Sequence, residues 1–180
     1  MATSLVLTII GPDQPGLVEA LSHVVAEHGG SWEGSRMARL AGQFAGILEV
    51  RVPEDTRTAL FAALESLGSR GLRVVVEEAL AAGGAWPDSD ALYRTLELEL
   101  VGQDRPGIIR QVSSALAAAG VNVVELSTGC SSAPMSGEML FSANALLHHP
   151  ASASVEELRE ALEKIAGDLM VDITLDESEG

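Results

Sequence analysis

The sequence predicts an α+β protein made of two tandem copies of one β-α-β-β-α-β unit. Each copy is expected to form an antiparallel four-stranded sheet with two helices on one face. Three observations carry this expectation. The segment Gly11-Pro12-Asp13-Gln14-Pro15-Gly16-Leu17-Val18 returns, 91 residues later, as Gly102-Gln103-Asp104-Arg105-Pro106-Gly107-Ile108-Ile109. Within each copy the apolar spacing switches between period two and period 3.6 in the same order. The 180 residues are 47% hydrophobic but only 3% aromatic, enough Leu, Val, Ile and Ala for two small cores.

The first copy reads as follows. Thr3–Ile10 is β-branched and alternating, a strand. Over residues 15–28, Leu17, Leu21, Val24 and Val25 share one helical face, and Gly29-Gly30 stops the helix. Residues 31–40 and 43–52 make a hairpin around Ala41-Gly42. Pro53-Glu54-Asp55 opens a second helix with the stripe Leu60, Leu64 and Leu67, and residues 72–78 form the last strand. The second copy follows with strands at 93–101, 121–131, 138–149 and 168–175, and helices at 106–119 and 154–167. Leu5, Leu7 and Ile9 match Leu96, Leu98 and Leu100 at the 91-residue offset. Phe44 and Pro53 match Phe141 and Pro150 at an offset of 97, which puts an insertion of six residues in the turn-rich stretch 130–137. The expected boundaries are 1–78 for the first domain, 79–91 for a Gly/Pro/Asp-rich linker, 92–176 for the second domain and 177–180 for an acidic tail. Trp86 of the linker is expected to tuck onto a domain face. The β-α-β-β-α-β order is the ferredoxin-like plan.

Charge narrows the partners. A net charge of −15, from 26 acidic and 11 basic residues, opposes direct binding to nucleic acid or to an anionic membrane surface. The single cysteine, Cys130, rules out an internal disulfide and any multi-cysteine metal site, and it reads as an unreactive thiol. The start lacks a basic leader, and no stretch is long and apolar enough to span a membrane, so a cytoplasmic location is expected. His148-His149 reads as a pair of solvated surface histidines. No metal site, cofactor motif or nucleophile motif is present.

The repeated loop carries the candidate chemistry. A strand ends at glycine, an acid follows, and Pro-Gly opens a helix. Uncapped first-turn N–H groups form a seat for a carboxylate, and Asp13 or Asp104 beside it could take an ammonium group. An α-amino acid offers both charges. An ordinary helix start, with Asp capping and Pro in the first turn, accounts for the same residues.

Asp104-Arg105-Pro106-Gly107-Ile108-Ile109, followed by Ala119-Gly120-Val121-Asn122-Val123, resembles the signature of the ACT domain. Asp13-Gln14-Pro15-Gly16-Leu17-Val18 with His28-Gly29-Gly30-Ser31 resembles it less closely. A pair of such domains without an attached enzyme is most similar to the glycine cleavage system transcriptional repressor group. The resemblance implies a non-enzymatic regulatory protein that binds an amino acid, such as glycine or serine, and signals to a protein partner such as a transcription factor, as a homodimer and without a cofactor. By position, the implied contacts are Asp104, Gly107, Ile108 and Asn122, with Asp13, Gly16, Leu17 and Ser31 in the first copy. Asn122 is expected close to the loop, and Ser31 replaces its amide with one hydroxyl. Two other readings remain: an acyl-phosphate hydrolase built around Arg105, where the first copy has Gln14, and a ligand-free interaction module.

Overall fold

The computed structural model describes residues 2–79, 92–133 and 137–177. Most of the expected linker, Trp86 within it, and the tail beyond Glu177 lie outside the described residues. The chain divides into two compact units, residues 1–84 and 85–180.

Alternating apolar residues make the first strand, β1 (Ala2–Pro12), which puts Leu5, Leu7 and Ile9 on one side. It leads into α1 (Leu17–Glu27), β2 (Ser31–Leu40), β3 (Gln43–Pro53), α2 (Arg57–Ser66), a 3-10 turn (Leu67–Arg70) and β4 (Arg73–Glu78). The second unit repeats the order: β5 (Tyr93–Gln103), α3 (Ile108–Ala118), β6 (Asn122–Ser132), β7 (Met139–Pro150), α4 (Val155–Leu169) and β8 (Val171–Glu177). The sheets are antiparallel, with strand orders β2-β3-β1-β4 and β6-β7-β5-β8.

Register decides which side is core. Leu7 faces Leu48 and Val76 across the first sheet, and Leu98 faces Ala145 and Leu175 across the second. Residues directly opposite point to the same face, so these leucines line up beneath the helices. Leu17, Leu21 and Val25 of α1 and Leu60 and Leu64 of α2 close the first core. Ile108, Val112 and Leu116 of α3 and Leu158, Leu162 and Leu169 of α4 close the second. The duplication offsets reappear as geometry. Gly11 pairs with Phe44, and Gly102 with Phe141.

Several expected boundaries move, each for a local reason. Both first helices begin at Leu17 and Ile108 instead of at the prolines, because Gly16 and Gly107 adopt left-handed conformations (φ 87° and 95°) that no helix continues through. The second helix starts after Thr56, since Pro53 is still in β3 and the Thr56 hydroxyl donates to the carbonyl of His28 at 2.8 Å. Leu67 belongs to the 3-10 turn. The hairpin strands of the second unit each shift by one residue from 121–131 and 138–149, since Val121 is still in the turn after the helix and Ser132 pairs with Met139 as the last pair of the ladder. Asp168 is in α4, which ends at Met170 in a left-handed conformation.

The uncovered faces of the two sheets differ. In the first, Val6, Thr8 and Ile10 are joined by Ile47, 52% exposed, and Val75, 50% exposed. In the second, the same positions carry Glu97 and Glu99, flanked by Asp172 and Asp176 on β8 and Glu125 on β6. Among the described residues no helix is long and apolar enough to cross a membrane.

His149 corrects the expectation of a surface pair. It faces the helices at 0% exposure, at the position Val52 fills in the first unit, and neither ring nitrogen has a hydrogen-bond partner. His148, one residue earlier, turns to the other face and stacks on Tyr93 with ring centroids 5.8 Å apart. A buried polar group without a partner costs about 1–3 kcal/mol. His149→Val, which installs the first unit's own residue, should therefore stabilise the second unit by about 1 kcal/mol or more even after some loss of packing volume. Denaturant unfolding measures this, and a less stable variant would mean that the imidazole is satisfied by a buried water.

Candidate functional site

In both units the loop after the first strand is tied to the tip of the neighbouring hairpin. Asp13 N–H donates to the carbonyl of Gly42, and Asp104 N–H to that of Met139, each at 2.9 Å. The glycine that precedes the acid has a packing role. A β-carbon on Gly102 would lie 2.4 Å from Val171 Cγ1, and one on Gly11 would lie 2.6 Å from the carbonyl oxygen of Gly71, so each strand ends where another backbone or side chain comes too close for a larger residue.

Neither α1 nor α3 has a side-chain cap, and the N-cap position is the left-handed glycine itself. The ordinary helix start with a capping Asp is thereby excluded. Around Gly107 a β-carbon would meet nothing within 4 Å, so the backbone there is open to approach. Ile108 and Leu17 are core residues, 2% and 6% exposed, and can offer a ligand only their backbone.

The two loops are not equivalent. Asp13 Oδ2 accepts from Arg39 Nε at 2.7 Å, and Gln14 Nε2 donates to the carbonyl of Arg70 at 2.7 Å, so the first loop is held at both ends. The side chain of Asp104 makes no hydrogen bond or ion pair among the described residues. Its neighbour Arg105 donates to Gln103 Oε1 at 3.1 Å. Beside it runs an open groove of about 640 Å³ between α3 and α4, lined by Gly107, Arg110, Gln111, Ser114 and Ile165. Arg110, Gln111 and Ser114 were not expected from the sequence. Their signal was the polar face of α3, opposite the stripe Ile108, Val112 and Leu116. Arg39, the partner of Asp13, left no comparable signal, because only the hairpin register brings it to the loop.

Asn122 is not close to the loop. It pairs with His148, which pairs with Thr95 near the start of β5, while Asp104 follows Gln103 at the other end of the same strand. Eight residues of strand separate the two levels, about 25 Å. The physical reason is α3, whose 11 residues carry the chain about 16 Å back along the sheet before β6 begins. Asn122 also shares the uncovered face with His148, whereas α3 begins on the covered one. Ser31 holds the matching place, opposite Arg51, which is paired to Glu33 at 2.8 Å. Within one unit the structure therefore brings together Asp104, Gly107 and Ile108, or Asp13, Gly16 and Leu17, and leaves Asn122 and Ser31 at the far end.

Glu54 also lies at that far end. Its carboxyl is held below the ordinary carboxylate range, first by a hydrogen bond from the Thr3 hydroxyl and then by the charge of Arg57. No group of three or more His, Cys, Asp or Glu able to hold a metal is found among the described residues.

Comparison with known proteins bears on the family and the fold. An ACT domain model matches residues 3–77, and a second ACT domain model matches residues 96–167. The crystal structure of an unknown protein from Galdieria sulphuraria is 31% identical, superposes with a TM-score of 0.82, and is matched over 99% of this chain and 100% of its own. A candidate glycine cleavage system transcriptional repressor is 18% identical, with a TM-score of 0.70 and coverage of 100% and 99%, a likeness of fold. No curated protein matches the sequence significantly. With both halves matched and a full-length relative above 30% identity, the chain belongs to the ACT domain family, as a tandem pair of ACT domains.

Proposed function

We propose that this tandem ACT protein is a regulatory amino-acid sensor and not an enzyme, and that it passes ligand state to a protein partner in transcriptional control. The observation that carries this reading is the second loop. An uncapped helix start and an open left-handed Gly107 stand at the groove, and the unpartnered Asp104 carboxylate lies three residues before that glycine in the same loop. First-turn N–H groups suit a carboxylate and Asp104 suits an ammonium, so the ligand is a small amino acid such as glycine or serine. The transcriptional role is carried over from the full-length likeness in fold to the candidate repressor. The first loop, with Asp13 already paired to Arg39, is the weaker site.

Asn122 enters such a site only from a second copy of the chain, because no amino acid reaches the length of a sheet. The edge strand β6 is where a second copy would pair. It exposes Val123, Val124 and Leu126 (the last 54% exposed) beside Ile109 of α3, and a long apolar edge invites strand pairing. The equivalent edge β2 carries Arg36 and Arg39 instead and is protected by charge. The reading is therefore a homodimer through the second domain.

Two measurements test this. Thermal shift against the twenty amino acids should find at least one that raises the melting point. Asp104→Ala should then weaken that ligand about tenfold to a hundredfold, the loss of a charge-assisted hydrogen bond, while Asp13→Ala changes little. No shift with any amino acid, or the reverse order of the two variants, would sink the assignment. Separately, Leu126→Lys should remove the edge contact, and Asn122→Ala should weaken the ligand only in the form that retains that contact. Light scattering and calorimetry on both variants report it.

A further inference from the structure

Among the described residues, α3 is the helix whose start meets no carboxylate of the chain. Glu19 stands in the first turn of α1, and Glu156 and Glu157 stand in that of α4. The first residue of α2, Arg57, is a cation, but it is paired to Glu54 and Glu78. The first turn of α3 holds no acid, and its third residue is Arg110. An anion suits the positive end of a helix and a cation opposes it. Arg110 is exposed and belongs to no ion pair among the described residues, in a chain with 26 acidic residues.

The two units differ here by a reversal of charge. At the 91-residue offset Arg110 takes the place of Glu19. A side chain at the third helical position reaches back over the first turn, as the glutamate of a capping box does. Glu19 follows that rule. A β-carbon on Gly16 would find Glu19 Oε2 at 3.8 Å, whereas one on Gly107 would find nothing within 4 Å. The first unit thus puts its own carboxylate at this place, and the second leaves it open beside a guanidinium.

We propose that Arg110 sets the side-chain preference of the second site, which takes an amino acid with a second carboxylate, aspartate or glutamate, ahead of glycine, serine and the amides. This preference rests on the amino-acid reading above and narrows it. With the α-carboxylate on the first-turn N–H groups and the ammonium on Asp104, the ligand side chain is left to run along the groove. Gly107, Arg110, Gln111 and Ser114 line that groove, no acid does, and its volume of about 640 Å³ has room for such a side chain. Arg110 lies about 4.5 Å along the helix axis from Gly107, a span that short methylene chains bridge. A guanidinium pairs a carboxylate through two donors at once.

Calorimetry on the full chain tests this with aspartate, asparagine, glutamate, glutamine and glycine, and circular dichroism verifies folding. Wild type should bind aspartate or glutamate about tenfold or more tightly than the matching amide, which has nearly the same shape without the charge. Arg110→Gln should erase that preference and leave binding of the amide within about twofold. Arg110→Glu, which installs the first unit's own residue, should weaken all five ligands by about tenfold or more, because its carboxylate then competes for the first turn. Amides or glycine binding wild type as tightly as the acids overturn the preference and leave the sensor reading standing. Equal loss of all five ligands in Arg110→Gln also overturns it, since the guanidinium would then hold the α-carboxylate. Binding of none of the five overturns it too, and the sensor reading falls with it only if the rest of the twenty amino acids also give no thermal shift.

Discussion

The antiparallel register of the two central strands in each sheet is the constraint on which the rest depends. With Leu5, Leu7 and Ile9 on β1 opposite Val50, Leu48 and Gly46 of β3, the apolar row of one strand and that of the next fall on one face. A shift of one residue would turn all of them toward solvent and leave α1 and α2 nothing to cover. Gly46 shows how tight this register is, because a β-carbon there would lie 2.4 Å from the carbonyl oxygen of Arg36. The loop follows from the same register. Only when Gly11 lies opposite Phe44 does Asp13 reach the carbonyl of Gly42 and the guanidinium of Arg39.

Most of the fold was legible because period two and period 3.6 are local signals, and the duplication let one copy check the other. The repeat placed Gly107 and Gly16 at helix starts, and both proved left-handed. Position along the sheet was less legible. Asn122 follows the helix by only a few residues of turn and so looks near the loop in sequence, yet a helix that runs back along the sheet converts that short separation into the full length of a strand. His149 failed for a related reason. A polar residue at a strand end reads as solvated unless its parity is counted from the core leucines, and Leu147 two residues earlier assigns it to the buried face.

The two copies keep one backbone plan and differ where side chains meet solvent. The first ties its Asp to an arginine, places Arg36 and Arg39 on its edge strand and mixes apolar residues with charges of both signs on its sheet face. The second frees its Asp, exposes valine and leucine on its edge and covers its sheet face with carboxylates. These differences are coupled by electrostatics. The carboxylates Glu99, Asp172 and Asp176 disfavour further anions near that face, whereas the dipole at the start of α3 and the nearby Arg110 favour them.

A division of labour follows from that distribution. Of the two loop acids, only Asp104 has a carboxylate free of internal partners among the described residues, whereas Asp13 is held by Arg39. The edge of the second sheet exposes apolar area at Val123, Val124 and Leu126, and the face of the first does so at Ile47 and Val75. Duplication gives this freedom: with one copy of the loop held by Arg39, the other can leave its acid unpaired without loosening the shared backbone plan.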